Sequence, residues 1–407
     1  MRCWLLLAAG CVVGCGEPPS ATEPSTATSS TSGTGGSGST SSTSGTGGTV
    51  EPQGVPIFVA QGAVGRTVVS CDEGQTWIAD RSWDIEGDAL MCGSTAPAHC
   101  YDTPCSYSVN DQCIELTCCD HSPDVPKGVA FGDGQFVATW GWGQPGAVQR
   151  SVNALEWETT HPGDSFGGLA YGGGRFVLAS RSPFWSTDGI QWTAGQEADF
   201  RNNDGSTMWS VRRFAYADYQ GEGRFVAVAS GDASRDMLVS SDGGESWWRP
   251  SVIPPDCATE VSTYGGIVSG NDIIVIVDMQ GNACRSLDGG ETWSVTPTGL
   301  TQVLSHGVFT GSEFLFWGDD AFMISSSDGA NWTQQPMTTP LRLGPVARSA
   351  SGALVGLSSV WLGYEQQSFY RSTDGLSWEQ LPASSFVASH PIFYITFGFA
   401  ETCPANG

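Results

Sequence analysis

The residues best suited to chemistry in this 407-residue chain crowd into one stretch, from Ala194 to Gly223. It holds Arg201, Trp209, Arg212, Arg213, Tyr216 and Tyr219. A guanidinium offers a planar fork of donors that matches a carboxylate, and aromatic rings give large contact area at small entropic cost. Together they suit a carboxylate-bearing sugar or a peptide, although a solvated loop followed by an ordinary strand would use the same residues. Tyr364, followed by Glu365 on another expected loop, sets a phenol beside a carboxylate. Elsewhere the chemistry thins out. The histidines, His99, His121, His161, His306 and His390, have no metal-ligand spacing, and no Gly-x-Ser-x-Gly elbow or phosphate loop occurs. The acidic pair Asp319-Asp320 reads as a solvated turn. No metal and no cofactor are expected.

Bulk composition narrows the partners. The net charge is −25, and Lys127 is the single lysine. Nucleic acid requires a basic stripe to neutralise phosphate, so it is excluded as a partner, as is an anionic membrane surface. Sixteen tryptophans and 54 glycines beside 14% charged residues indicate a turn-rich, aromatic β protein.

The first residues, MRCWLLLAAGCVVGC, form a short apolar run behind one arginine, which is an export signal too short to span a bilayer. Val12-Val13-Gly14-Cys15 resembles a bacterial lipobox, and the resemblance implies lipidation of Cys15. Residues 1–15 are then a signal peptide. Residues 16–50, almost wholly Ser, Thr, Gly and Pro, form a disordered tether unable to bury a core. Residues 51–407 are the folded body. Gly16-Glu17 carries no retention signal, so the expected place is the cell envelope, at the outer membrane of a Gram-negative cell. The membrane is a partner through the anchor only.

The elements that must position any site are repeats. RSTDGLSW near the C-terminus recurs as SCDEGQTW, STDGIQW, SSDGGESW, SLDGGETW and SSDGANW, with a weaker copy, SVNALEW. Seven copies begin at Ser70, Ser151, Ser186, Ser240, Ser286, Ser326 and Ser372. Six carry an aspartate: Asp72, Asp188, Asp242, Asp288, Asp328 and Asp374. Short apolar strands such as QFVATW and RFVLAS precede each copy. The phrase suits a tight turn: Asp accepts from nearby amides, Gly supplies positive φ, and Trp offers an apolar face to a neighbouring unit.

The pattern Ser-x-Asp-(x)-Gly-x-x-Trp resembles the Asp-box, or BNR repeat, of sialidases, sortilin-type receptors and photosystem assembly-factor propellers. The resemblance implies an all-β fold, a seven-bladed β-propeller of four-stranded antiparallel blades. Only two strands precede the first turn, and Pro391–Gly398 follows the last one unpartnered. The two chain ends are expected to share a blade and close the ring. In such a ring the turns mark one face, while long loops emerge on the other, where function usually sits. A Cys-rich insertion at about 80–126 carries Cys92, Cys100, Cys105, Cys113, Cys118 and Cys119, read as a three-disulfide lobe. Cys257 with Cys284, and Cys71 with Cys403, are the remaining pairs.

Sialidase chemistry requires three arginines that clamp a carboxylate, a Tyr–Glu nucleophile pair and an acid/base Asp. The family's Phe/Tyr-Arg-Ile-Pro motif is missing, and Arg150, Arg175, Arg224, Arg285 and Arg371 belong to the turn face or its edge. The expectation is a monomeric, non-catalytic binding or scaffold protein that holds a protein or glycan ligand on the loop face. The alternative is a diverged, sialidase-like glycoside hydrolase.

Overall fold

The computed structural model describes residues 54–62, 65–81, 108–109, 112–113, 126–141, 146–163, 166–197, 211–229, 237–257, 266–300, 304–318, 321–358, 367–382 and 392–403. The expected signal peptide and tether, residues 1–50 with Cys15, lie outside them. So does most of the Cys-rich insertion, of which only a two-stranded hairpin (Ser108–Val109, Gln112–Cys113) is described.

Seven antiparallel sheets make the seven blades of a propeller. Blade 2 shows the pattern: Pro126–Gly132, Gln135–Trp140, Gly146–Ser151 and Glu158–Gly163, paired in sequence order. In blade 4 the fourth position is filled by a single bridge between Val239 and Trp248. Blade 1 is composite. Its innermost strand, Ile392–Ala400, comes from the C-terminal end and pairs with Val55–Gly62, as expected from the unpartnered run. The first strands of the blades touch one another in cyclic order, which closes the ring.

These strands are apolar on both sides because each sheet is stacked between two others. The six residues Gln135–Trp140 are all buried. Between blades 5 and 6, for example, Val275, Val277, Phe309, Phe314, Phe316 and Ile324 form one cluster. A closed ring of such interfaces has no open sheet edge among its inner strands.

The repeated turn joins third and fourth strands around a shared serine, side-chain oxygen and amide network, to which four copies add an indole bond. In blade 5 the Ser286 hydroxyl donates to Asp288 Oδ1 (2.8 Å) and accepts from the Gly290 amide (2.8 Å). The Thr292 amide donates to the same carboxylate oxygen (2.9 Å), and the Trp293 indole donates back to the Gly290 carbonyl (2.9 Å). Trp293 is then buried against blade 4, and removing such an indole costs about 3–5 kcal/mol. The weak copy in blade 2 keeps the plan. Asn153 accepts from the Leu155 and Glu156 amides, and Ala154 holds the left-handed conformation that glycine holds elsewhere, at φ 63°.

All six aspartates sit below their ordinary carboxyl range. In Asp188 and Asp328 amide donors are the largest cause, whereas in Asp72, Asp242, Asp288 and Asp374 burial pushes up and hydrogen bonds outweigh it. Two disulfides are formed among the described residues, Cys71–Cys403 and Cys257–Cys284. The first joins the blade-1 turn to the chain just past the ring-closing strand and encloses all of the propeller but its first two strands.

Two outcomes follow for stability. Carboxyls with lowered folded pKa stabilise above the unfolded value, 3.8, and that stabilisation is lost as pH falls through the folded values. Denaturant unfolding between pH 5 and 2 should therefore steepen below about pH 4, and Asp328→Asn should flatten it. At Gly290 (φ +96°) an added Cβ would stand 2.6 Å from Val226 Cγ2, whereas at Gly311 (φ +100°) it meets open space. Gly290→Ala should cost about 2–4 kcal/mol and Gly311→Ala about 1 kcal/mol, read by urea denaturation.

Candidate functional site

In a four-stranded antiparallel blade, the first hairpin and the repeated turn emerge at one end. The middle loop and the link to the next blade emerge at the other. Every first strand therefore starts on the loop face and runs down the channel towards the turn face.

At their loop-face starts, five of the seven first strands carry an extra residue. Pro126 lies opposite Trp140 and Gly128 opposite Thr139, which leaves Lys127 bulged. In blade 4 Arg212 is extra between Val211 and Arg213, and in blade 6 His306 is extra between Ser305 and Gly307. Phe393 is extra in blade 1, and blade 7 is irregular between Leu343 and Val346, at Gly344-Pro345. A bulge breaks the two-residue alternation and re-aims a side chain, commonly at rims and binding sites. Here the breaks share one height around the channel mouth. Three fall on the only lysine, an arginine and a histidine of a chain with net charge −25.

The described side chains at the mouth make a polar patch. The Arg213 guanidinium lies over the Tyr394 ring, 5.0 Å from its centroid, and joins blade 4 to blade 1 across the ring. Gln61 stands directly opposite Tyr394 in the blade-1 ladder. It is fully buried, yet neither its amide nitrogen nor its amide oxygen meets a hydrogen-bond partner among the described residues. Thr396 Oγ1, two residues beyond Tyr394 on its strand, is in the same condition. Buried polar atoms are nearly always paired, so this group marks a place built for something other than packing.

The residues singled out in the sequence scatter differently. Arg201, Trp209 and Tyr364 lie outside the described residues, as do Cys92, Cys100, Cys105, Cys118 and Cys119. Arg212 and Arg213 are at the mouth. Tyr216 and Tyr219 are not, which corrects their assignment to the loop face. The strand Val211–Tyr219 carries them down to its hairpin on the turn face. Tyr216 is buried against Phe225 and the hairpin glycines Gly172 and Gly223; its hydroxyl donates to Asp218 Oδ1 (2.8 Å), and burial pushes its pKa up. Tyr219 lies under the Arg224 guanidinium, 5.1 Å away, beside the turn glycine Gly289 of blade 5. Both stabilise the blade 4 hairpin. Lys127, Gln61 and Tyr394 were missed, because nothing in the sequence marks a bulge. Among the described residues, no group of three or more His, Cys, Asp or Glu could hold a metal ion.

The fold and its channel mouth thus define a seven-bladed β-propeller. No family model and no curated protein matches the chain. Among solved structures it is similar to YCF48 bound to D1 peptide, at 14% identity and a TM-score of 0.47 over 76% of this chain and 93% of that one. It is similar to the GH74 enzyme of Niastella koreensis at 20% identity and a TM-score of 0.41, over 61% of this chain and 36% of that one. Apo AztD from Citrobacter koseri gives 8% identity and a TM-score of 0.46, over 84% and 97%. These similarities are low, and the seven-bladed ring rests on the strand pairing of the chain itself.

An unsatisfied amide is a cost that an apolar side chain of the same shape removes. Gln61→Leu should raise the unfolding free energy by about 1–2 kcal/mol in urea denaturation.

Proposed function

We propose that this chain is an exported, lipid-anchored binding propeller, non-catalytic, whose channel mouth on the loop face holds a carboxylate-bearing protein or glycan ligand. The observation that carries the reading is the set of bulges that bring Lys127, Arg212 and His306 to one height around the mouth. The net charge of −25 repels anions at long range. Basic residues placed at these bulges act at short range, where screening is weaker and hydrogen bonds direct the ligand. The turns are read as Asp-boxes on the hydrogen-bond plan of blade 5, in keeping with the sequence pattern. Cys15 is the anchor, residues 16–50 are the tether, and the outer membrane is the site.

The test uses the purified full-length chain with its disulfides intact. It is offered an acidic peptide, a sialylated oligosaccharide and fluorogenic glycosides. The expected result is saturable, salt-sensitive binding without turnover, weakened about tenfold by Arg212→Ala, as for loss of one charge-assisted contact of about 1.4 kcal/mol. Turnover of any glycoside would overturn the non-catalytic reading in favour of the hydrolase. Unchanged binding in Arg212→Ala and Lys127→Met would remove the site from the mouth. Metabolic labelling with an alkyne fatty acid should mark the chain and not Cys15→Ala.

A further inference from the structure

The seven junctions between blades fall into three kinds on the turn face. At five of them a side chain from one blade donates to a main-chain carbonyl in the next blade's turn. Gln135 reaches the Asp188 carbonyl (2.8 Å), Arg175 that of Asp242 (2.9 Å) and Arg224 that of Asp288 (3.1 Å). Arg285 reaches the Asp328 carbonyl (3.1 Å), and Arg371 reaches that of Glu73 (2.8 Å). The donors come from two positions only. One is the residue before the phenylalanine that opens the second strand, as in Gln135-Phe136, Arg175-Phe176 and Arg224-Phe225. The other is the residue before the turn serine, as in Arg285-Ser286 and Arg371-Ser372. Between blades 1 and 2 the junction is apolar instead, with Ile57, Val59 and Val69 against Ala154.

Between blades 6 and 7 neither solution is used. The first donor position is Glu313, an acceptor with the wrong charge, and the second is Ser325, too short to cross. The Trp317 indole donates to the Gly375 carbonyl (2.8 Å), one residue beyond the usual acceptor. No described donor reaches the Asp374 carbonyl. In place of the missing side chain lies a groove of about 680 Å³ lined by Glu313, Ser325, Asp374, Met323, Leu315, Arg348 and Arg371, the last already tied to the Glu73 carbonyl of blade 1. Arg348 is half-buried, and its guanidinium meets no hydrogen-bond or ion-pair partner among the described residues. Burial lowers its pKa, the sign of a cation held without a counter-charge.

We propose that this groove binds an arginine side chain of a partner polypeptide, with an acidic residue next to it in the partner. The guanidinium takes the place that Arg175, Arg224 and Arg285 fill in their own junctions, donating to the Asp374 carbonyl with Glu313 as counter-charge. Its methylenes lie on Leu315 and Met323, and the adjacent carboxylate pairs with Arg348. The propeller carries four copies of the guanidinium-to-turn contact within itself, which is the template for what the fifth accepts from outside. The site lies on the face opposite the channel mouth and does not depend on the function proposed there.

The probe is a blocked pentapeptide, Gly-Gly-Arg-Asp-Gly, titrated into the full chain by calorimetry, with the citrulline-for-arginine peptide as its isosteric neutral control. The expected result is saturable binding of the arginine peptide, at least about tenfold weaker for citrulline and several-fold weaker in Glu313→Gln. Ser325→Arg supplies the donor from the chain's own second position, and it should abolish binding while the far-ultraviolet spectrum and melting profile stay those of a folded propeller. Failure of the arginine peptide to bind, equal binding of the citrulline peptide, or undiminished binding in folded Ser325→Arg would each overturn the proposal. Self-association that Ser325→Arg dissolves would overturn the assignment to a separate partner and give the groove to a second copy of the chain.

Discussion

One short network, serine to aspartate to the amides that follow, underlies everything else in this molecule. It fixes the angle between third and fourth strands, so each blade acquires its shape from contacts within eight residues. It also leaves one carbonyl outward, which the neighbouring blade can grip, and it delivers the tryptophan that fills the space between them. A local turn thereby sets a long-range spacing. The copy in blade 2 makes the point by exception: with Asn153 in place of aspartate and Ala154 in place of glycine, the side-chain oxygen still accepts from the serine hydroxyl and from the two amides beyond Ala154. The geometry tolerates loss of the charge so long as an acceptor and a left-handed residue remain.

The charge distribution is uneven in a way that the total conceals. Excess carboxylates are spread over a broad surface. Several are engaged by amides in the turns, and most of the arginines whose contacts are described serve the turn face as ties between blades. Lys127, Arg212 and Arg213 instead stand where the first strands begin. A single number for the chain therefore describes its solubility better than its recognition.

The architecture was legible in the sequence because it is written seven times. Each phrase names a turn, and the leftover strand at the C-terminal end has a single vacancy to fill. The site was less legible, for a geometric reason. Tyr216 and Tyr219 follow closely on Arg212 and Arg213 in sequence, but a strand advances about 3.3 Å per residue, so Tyr219 ends roughly 20 Å from Arg213, at the other face. Proximity along the chain is a poor guide once a strand intervenes. Bulges are hidden for a related reason: whether Lys127 is extra depends on how Pro126 and Gly128 meet Trp140 and Thr139, and pairing is not a property of one segment. The groove between blades 6 and 7 lay in plain view as Glu313 and Ser325, yet it means something only once the other junctions show what those positions do.

The composite first blade has a mechanical consequence. The chain enters the ring at Val55 on the turn face, with Gly54 against Ala400 at the end of the closing strand. A force arriving through the upstream residues pulls the strand Val55–Gly62 along its own length. That strand is hydrogen-bonded on both flanks, to Ile392–Ala400 and to Thr67–Ser70, so the load falls on many hydrogen bonds at once in shear and not on one at a time as in unzipping. The Cys71–Cys403 bond ties those two flanking segments together at their turn-face ends, beside the point of entry. A wheel hung from its rim by a cord would tear at the joint where the rim was closed, and in this protein that joint is the one riveted covalently.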